Sequence, residues 1–163
     1  EGDTPEADLS PTPDADHCEI SRTRLREEWH HLNAGPENID VVAIGSPHAS
    51  LSECRRLADA LAGRVVHASV AVIVTAGRDI IAAARADGTL QRLEKAGVRI
   101  HQDICWCTMT EPVFPSKART VMTNSGKYAH YGPGLSGRTV RLGSISDCAE
   151  VAGSGRVKER PYG

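Results

Sequence analysis

The chain contains no apolar run near the ~20 residues that a membrane-spanning helix requires. Its opening decapeptide, EGDTPEADLS, has neither the charged start nor the apolar centre of a secretory signal. The expectation is a soluble protein without an export signal. Charge of one sign is missing too. Nineteen Lys and Arg face 21 Asp and Glu for a net charge of −2, scattered evenly, so there is no basic stripe for nucleic acid and no cluster for a membrane surface. Two motifs that carry chemistry are also absent. Without Gly-x-Ser-x-Gly or His-Glu-x-x-His, the serine hydrolase and zincin readings lose their mechanical core. The Ser-Gly-Lys at 125–127 is a near miss for a phosphate-binding loop. That loop needs a glycine where Val121 stands, to let the backbone wrap a triphosphate, and a hydroxyl where Tyr128 stands, to hold magnesium.

What is present is enough for one domain. With 163 residues, 40% of them hydrophobic, a single core burying about two-thirds of the unfolded surface is within reach. The chain starts at Glu1 rather than methionine, with an acidic, proline-rich lead through Asp16 that reads as a tether, so a fragment, a processed subunit or a split gene product is expected. Five cysteines, Cys18, Cys54, Cys105, Cys107 and Cys148, are an odd number in a chain too large to need disulfide stapling. This favours reduced thiols and a cytoplasmic location, and it leaves thiols available as metal ligands.

Hydrophobic patterning supplies the fold class. IDVVAIGSPH is a continuous apolar run ending in Gly-Ser-Pro, as a strand buried on both faces would be. SLSECRRLADALAG follows, with Ser50 and Glu53 at capping-box spacing, one apolar stripe through Leu51, Cys54, Leu57, Ala58 and Leu61, and Gly63 placed to end the helix. The unit repeats. ASVAVIVTA is a strand, RDIIAAARADG and TLQRLEKAG are helical pieces each closed by glycine, and VRIHQDI is the next strand. RTVMT and RTVRLGS add two short strands, and SISDCAEVAGSG a last helix with Ser144 and Asp147 at capping spacing. The alternation predicts an α/β fold over 38–163, a mainly parallel sheet flanked by helices, preceded by a lead and polar helical segment over 1–37.

In open parallel sheets, ligands bind beyond the carboxyl ends of the strands, and here those ends read GSPHAS, TAGRD, DICWC, TNSGKYAHY and GSISDC. A short helix starting near Ser125 and stopping at Gly132-Pro133 would turn free N–H groups toward that edge and favour an anion. The alternative for this stretch is that Tyr128 and Tyr131 simply pack beneath the loop. Cys105 and Cys107 close a strand as soft thiols suited to iron–sulfur or zinc, but their C-x-C spacing is not that of zinc ribbons or most clusters. If the segment is extended, alternation puts both thiols on one face with Trp106 opposite, so one thiol can ligate while the other packs. Cys54 and Cys148 fall on apolar stripes and read as core. Cys18, beside His17, has no companion cysteine nearby and receives no role. His48, in the tight turn after the first strong strand, is placed either to face a cleft or to serve structure. His30 and His31 lie on a solvated helical face, and neither His67 nor His101 has a companion that spacing would recruit.

An ordered set of short motifs resembles the aconitase X family: TPEA (Thr4–Ala7), GSPHASLSE (Gly45–Glu53), DIC (Asp103–Cys105), NSGKYAHY (Asn124–Tyr131) and GSISDCAEVAGSG (Gly143–Gly155). The set covers nearly the entire chain and is similar to the C-terminal part of the family's larger, cluster-binding segment. The resemblance implies an aconitase-like fold in a hydro-lyase (dehydratase) of cis-3-hydroxy-L-proline or, in archaeal relatives, of phosphorylated mevalonate. It further implies an iron or iron–sulfur cluster acting as Lewis acid on the leaving hydroxyl of a small carboxylate substrate. Cys105 matches the family's strand-end cysteine and is the implied metal ligand. Ser125, Lys127, Tyr128, His130 and Tyr131 would line the substrate pocket, with Lys127 and the helix N-terminus holding a carboxylate and Ser46 and His48 facing it. Some relatives carry cysteine where this chain has Ser46, a departure that leans toward the hydroxyproline branch. The general base would belong to a small swivelling domain or subunit outside this chain, and the rest of the large subunit would also be a partner. A non-catalytic anion-binding or structural subunit is the alternative of another class.

Overall fold

The computed structural model describes residue 16 and residues 18–158. The TPEA motif, most of the acidic lead and His17 lie outside them. Among the described residues, no helix is long and apolar enough to cross a membrane.

Among the described residues, six helices and five strands follow one another as α1 (Arg22–Leu32), β1 (Val41–Ile44), α2 (Leu51–Leu61), β2 (Ala71–Ala76), α3 (Arg78–Ala86), α4 (Thr89–Ala96), β3 (Arg99–Gln102), β4 (Thr120–Thr123), α5 (Gly126–Ser136), β5 (Thr139–Leu142) and α6 (Ile145–Ser154). A 3-10 turn over Trp106–Thr108 lies between β3 and β4. Within the sheet all strand pairings are parallel, in the order β3-β2-β1-β4-β5, and one isolated antiparallel bridge joins Asn38 to Arg156. The expected α/β class is therefore what forms.

Every residue of β1 is buried, and alternate residues feed opposite layers. Val42 and Ile44 join Leu57, Leu61, Val72, Val74, Leu93, Cys148 and Ala152 under α2, α4 and α6. Val41 and Ala43 join Ile73, Trp106, Phe114, Val121, Tyr128 and Val140 under α5 and the segment after β3. A strand covered on both sides has no polar face to show, which is why its sequence is an unbroken apolar run. α1 buries none of its residues fully and rests on this second layer through Leu32.

Three expected boundaries move. α2 ends on Ala62, which itself adopts the left-handed conformation at φ 49°, one residue before the glycine expected to stop it. β3 stops at Gln102, because Asp103 turns at φ 56°, so Cys105 and Cys107 are not on an extended strand. α5 does not stop at Gly132-Pro133 but runs through Pro133 to Ser136. The helix continues because only the proline's own N–H is lost, while the Pro133 carbonyl still accepts from Gly137 N at 2.9 Å and Ser136 Oγ donates to the Gly132 carbonyl at 2.7 Å.

Strand order positions the site. The chain adds β2 and β3 on one side of β1, then crosses back to place β4 and β5 on the other. The connections leaving β1 and β4 therefore run to opposite sides, which makes the carboxyl ends of these two strands the switch point at which open α/β sheets bind ligands.

Candidate active site

The loop after β1 is shaped by its neighbours. Gly45 sits at φ 89°, and a Cβ there would lie 2.5 Å from the Thr75 carbonyl oxygen and 2.6 Å from Ala49 N, so no side chain fits. Ala49 N donates to the Thr75 carbonyl at 2.7 Å, and Thr75 Oγ1 donates to the Pro47 carbonyl at 2.9 Å, which staples the loop onto the end of β2. Ser50 and Glu53 then start α2 with the expected capping box. Within this loop Ser46 Oγ is enclosed yet has no hydrogen-bond partner of normal geometry, while His48 is exposed near the start of α3.

The segment after β3 is held from both directions. The Asp103 carboxylate accepts from Arg78 N at 3.1 Å and Arg78 Nε at 3.0 Å, and from Gln102 Nε2 at 3.2 Å, tying it to the first turn of α3. Partial burial works against the charged carboxyl, but these donors and the guanidinium outweigh it and hold its pKa below the usual value. Further on, Trp106 turns fully inward, its Nε1 donating to the Ile44 carbonyl at 3.1 Å and its ring 5.5 Å from that of Tyr128.

With Trp106 inside, the flanking thiols come to the carboxyl edge together, both half-buried. Burial pushes the Cys107 thiol up, and the neighbouring Cys105, charge and hydrogen bond alike, pushes it further; Lys127 and Ser46 pull the other way without prevailing. Thus Ser46, Cys105, Cys107 and Lys127, from three separate loops, occupy one neighbourhood. The two core thiols behave differently: burial, with the Glu53 and Asp87 charges adding, drives Cys54 to about 11, and burial with the Asp147 charge drives Cys148 higher still. Cys18 is exposed and apart from this group.

The loop after β4 supplies the remaining side. Ser125 caps α5, its Oγ accepting from Tyr128 N at 3.3 Å, and Lys127 lies exposed in the first turn. This puts the positive end of the α5 dipole and an ammonium at the same edge. The other expected pocket residues divide. Tyr128 is 1% exposed in the core, its phenol pushed up by burial, and His130 and Tyr131 stack edge to face on the outer side of α5 with Tyr131 55% exposed. A groove of about 700 Å³ opens at the opposite, amino edge beside Asp40, Ser69, Arg99 and Lys117, and none of the candidate residues lines it.

Sequence reasoning missed one pair. Asn124 Nδ2 donates to Glu53 Oε1 at 2.7 Å, joining residues 71 apart. No local pattern signals that contact, because Glu53 is already accounted for as a helix cap.

The family model of the aconitase X third domain matches residues 39–154. Cis-3-hydroxy-L-proline dehydratase of Pseudomonas aeruginosa is 48% identical over 138 residues, 84% of this chain and 24% of that protein. The protein of the same name from Hypocrea jecorina is 44% identical over 135 residues, 82% of this chain and 23% of its own length. The phosphomevalonate dehydratase large subunit of Methanocaldococcus jannaschii is more distant, 32% identical over 128 residues, 78% of this chain and 31% of that one. The crystal structure of Thermococcus kodakaraensis aconitase X in its holo-form superposes with a TM-score of 0.78 at 29% identity, covering 93% of this chain and 38% of that one. The chain thus spans about a quarter of the length of its more similar curated relatives. The parallel sheet and a third-domain match across most of its length have one explanation: the chain belongs to the aconitase X family.

Proposed function

We propose that this chain forms the thiol-bearing wall of a hydro-lyase that removes water from cis-3-hydroxy-L-proline. The observation carrying the proposal is the convergence of Cys105, Cys107, Ser46 and Lys127 on one sheet edge, which assembles a soft-metal ligand, a hydroxyl and a carboxylate-binding ammonium. The greater likeness to the two hydroxyproline dehydratases than to the phosphomevalonate enzyme supports the choice of substrate.

The donor set fits part of an iron or iron–sulfur site. Two adjacent thiols are suitable soft ligands, with Cys105 as the principal one. Among the described residues, no three His, Cys, Asp or Glu side chains gather to hold an ion, so further ligands would come from other segments of the complete protein. The metal centre would act as a Lewis acid on the departing hydroxyl. Lys127 and the N-terminus of α5, capped by Ser125, hold the substrate carboxylate by charge and free N–H groups. Ser46 and His48 face it from the β1 loop. Tyr128 supports Trp106 from within, and His130 and Tyr131 line the outer approach. The proton leaves the α-carbon and hydroxide the β-carbon, giving an enamine that tautomerises to a cyclic imine acid. The general base belongs to a partner domain. Residues 38–163 form the α/β unit of a larger catalytic body, and 1–37 lead into it.

In the complete enzyme, cis-3-hydroxy-L-proline should yield a product that borohydride reduces to proline. Turnover of phosphomevalonate alone would replace this substrate with that of the archaeal branch. Turnover of neither, with no iron bound after anaerobic reconstitution, would leave a non-catalytic anion-binding subunit.

A further inference from the structure

We infer that Glu53 and Asn124 are a positioning pair that holds the two substrate-facing loops in register across the β1–β4 seam, an inference that rests on the dehydratase reading above. The Glu53 carboxylate divides its two oxygens between two tasks. Oε2 accepts from Ser50 N at 2.9 Å and Ser50 Oγ at 3.0 Å, closing the cap of α2 just behind the loop that carries Ser46 and His48. Oε1 accepts from Asn124 Nδ2 at 2.7 Å, next to Ser125 and Lys127. One side chain therefore spans the loops of two adjacent strands.

The cap alone does not call for glutamate. At the start of α6 the same box is closed by the shorter Asp147, whose Oδ2 accepts from Ser144 N at 2.9 Å and Ser144 Oγ at 2.6 Å. The additional methylene of Glu53 is what reaches the neighbouring strand. The bond also sets which way the Asn124 amide faces. A carboxylate only accepts, so Nδ2 must point to Glu53, and Oδ1 is left enclosed without a hydrogen-bond partner among the described residues. Ser46 Oγ, past the end of the adjoining β1, is enclosed as well, with the Cys107 thiol as its neighbour. An enclosed polar atom without a partner is unfavourable, so the arrangement persists only because the structure around it fixes both loops. Glu53 is the charged group that does so.

Capping and tying are separable in the complete enzyme. Glu53→Asp keeps the box, as α6 shows, but withdraws the reach to Asn124. Its melting temperature should stay within about two degrees of the parent while kcat/KM for cis-3-hydroxy-L-proline falls about tenfold. Ser50→Ala should do the reverse, losing several degrees with kcat/KM within about twofold. Asn124→Ala should match Glu53→Asp, and the double variant should lose no more than either single one, because both remove one contact. In metal-free enzyme, iodoacetamide should alkylate the Cys105/Cys107 pair several-fold faster in Glu53→Asp and Asn124→Ala than in the parent or Ser50→Ala, since Ser46 and Lys127 flank these thiols from the two loops. Unchanged kinetics and alkylation in Glu53→Asp, or an equal loss of kcat/KM in Ser50→Ala, would overturn the inference. If the parent enzyme dehydrates nothing, the functional reading fails and the alkylation rates alone decide whether the pair sets the loops.

Discussion

At the amino edge of the sheet, Asp40 accepts hydrogen bonds from Arg119 N at 2.7 Å, Thr120 N at 3.0 Å and Thr120 Oγ1 at 3.1 Å. At the carboxyl edge of the same pair of strands, Asn124 Oδ1 is enclosed with no hydrogen-bond partner among the described residues, and enclosed Ser46 Oγ has the Cys107 thiol beside it. Both edges join β1 to β4, and both bury polar atoms. The difference is that the first edge pairs its carboxylate with three donors, whereas the second pairs its enclosed oxygens less fully among the described residues. Buried polar groups are nearly always paired in folded proteins. Less fully paired ones near a thiol pair and an ammonium support the proposal that this edge carries the site.

The comparison breaks most sharply at the thiols. In the completed enzyme, Cys105→Ser should abolish both iron retention and turnover, because a neutral hydroxyl replaces a soft thiolate poorly. Cys107→Ser should keep most of both, since Cys105 is the proposed principal ligand and Cys107 its neighbour. Equal iron per chain in the two variants would remove Cys105 as the distinguishing ligand. Next in size is Lys127→Met, which takes away a charge-assisted contact of about 1.5–3 kcal/mol and should reduce kcat/KM about ten- to a hundredfold at unchanged melting temperature. Unaltered kinetics would detach the lysine from the site.

The smallest effect belongs to the amino edge and should appear only in stability. Asp40→Asn retains an acceptor but loses the charge, and should cost about 1.5 kcal/mol in denaturant unfolding with iron and kcat unchanged. Burial opposes the Asp40 carboxylate, yet hydrogen bonds from Arg119 and Thr120 hold its pKa below the ordinary value. A depressed folded-state pKa stabilises above the unfolded value, about 4, and that stabilisation is lost as pH falls through the folded one. The gap between Asp40→Asn and the parent should therefore be full at neutral pH and close under strongly acid conditions. A gap that widened in acid would reverse the assignment.

The fold was legible because its signals are local. Burial on both faces left VVAI unbroken, and the Ser50–Glu53 and Ser144–Asp147 boxes announced two helix starts that form as expected. Boundaries were less legible where a residue took an unusual backbone conformation. Nothing in Asp103 advertises φ 56°, and it was this turn, together with the inward pull on Trp106, that ended β3 before the cysteines. The thiols nevertheless meet, through a turn and not through strand alternation. The site was legible only as loops at one edge. Which side chains converge depends on contacts between residues dozens of positions apart, such as Glu53 with Asn124, and these have no signature in a local pattern.

The strand order has a kinetic consequence. β1 meets β2 across 30 residues, β2 meets β3 across 26 and β4 meets β5 across 19, but β1 meets β4 across 80. Closing that longest loop carries an entropic penalty about 1 kcal/mol above the closure of β1 on β2. Pairings at greater separation tend to form late. The two half-sheets can therefore assemble first as separate local units, and the seam that unites them is the one that brings the β1 and β4 loops side by side. A partly folded chain can form the Ser46 loop and the Lys127 segment on separate half-sheets, but the two come together only when the seam closes, so any ligand that needs both reports on completion of the fold.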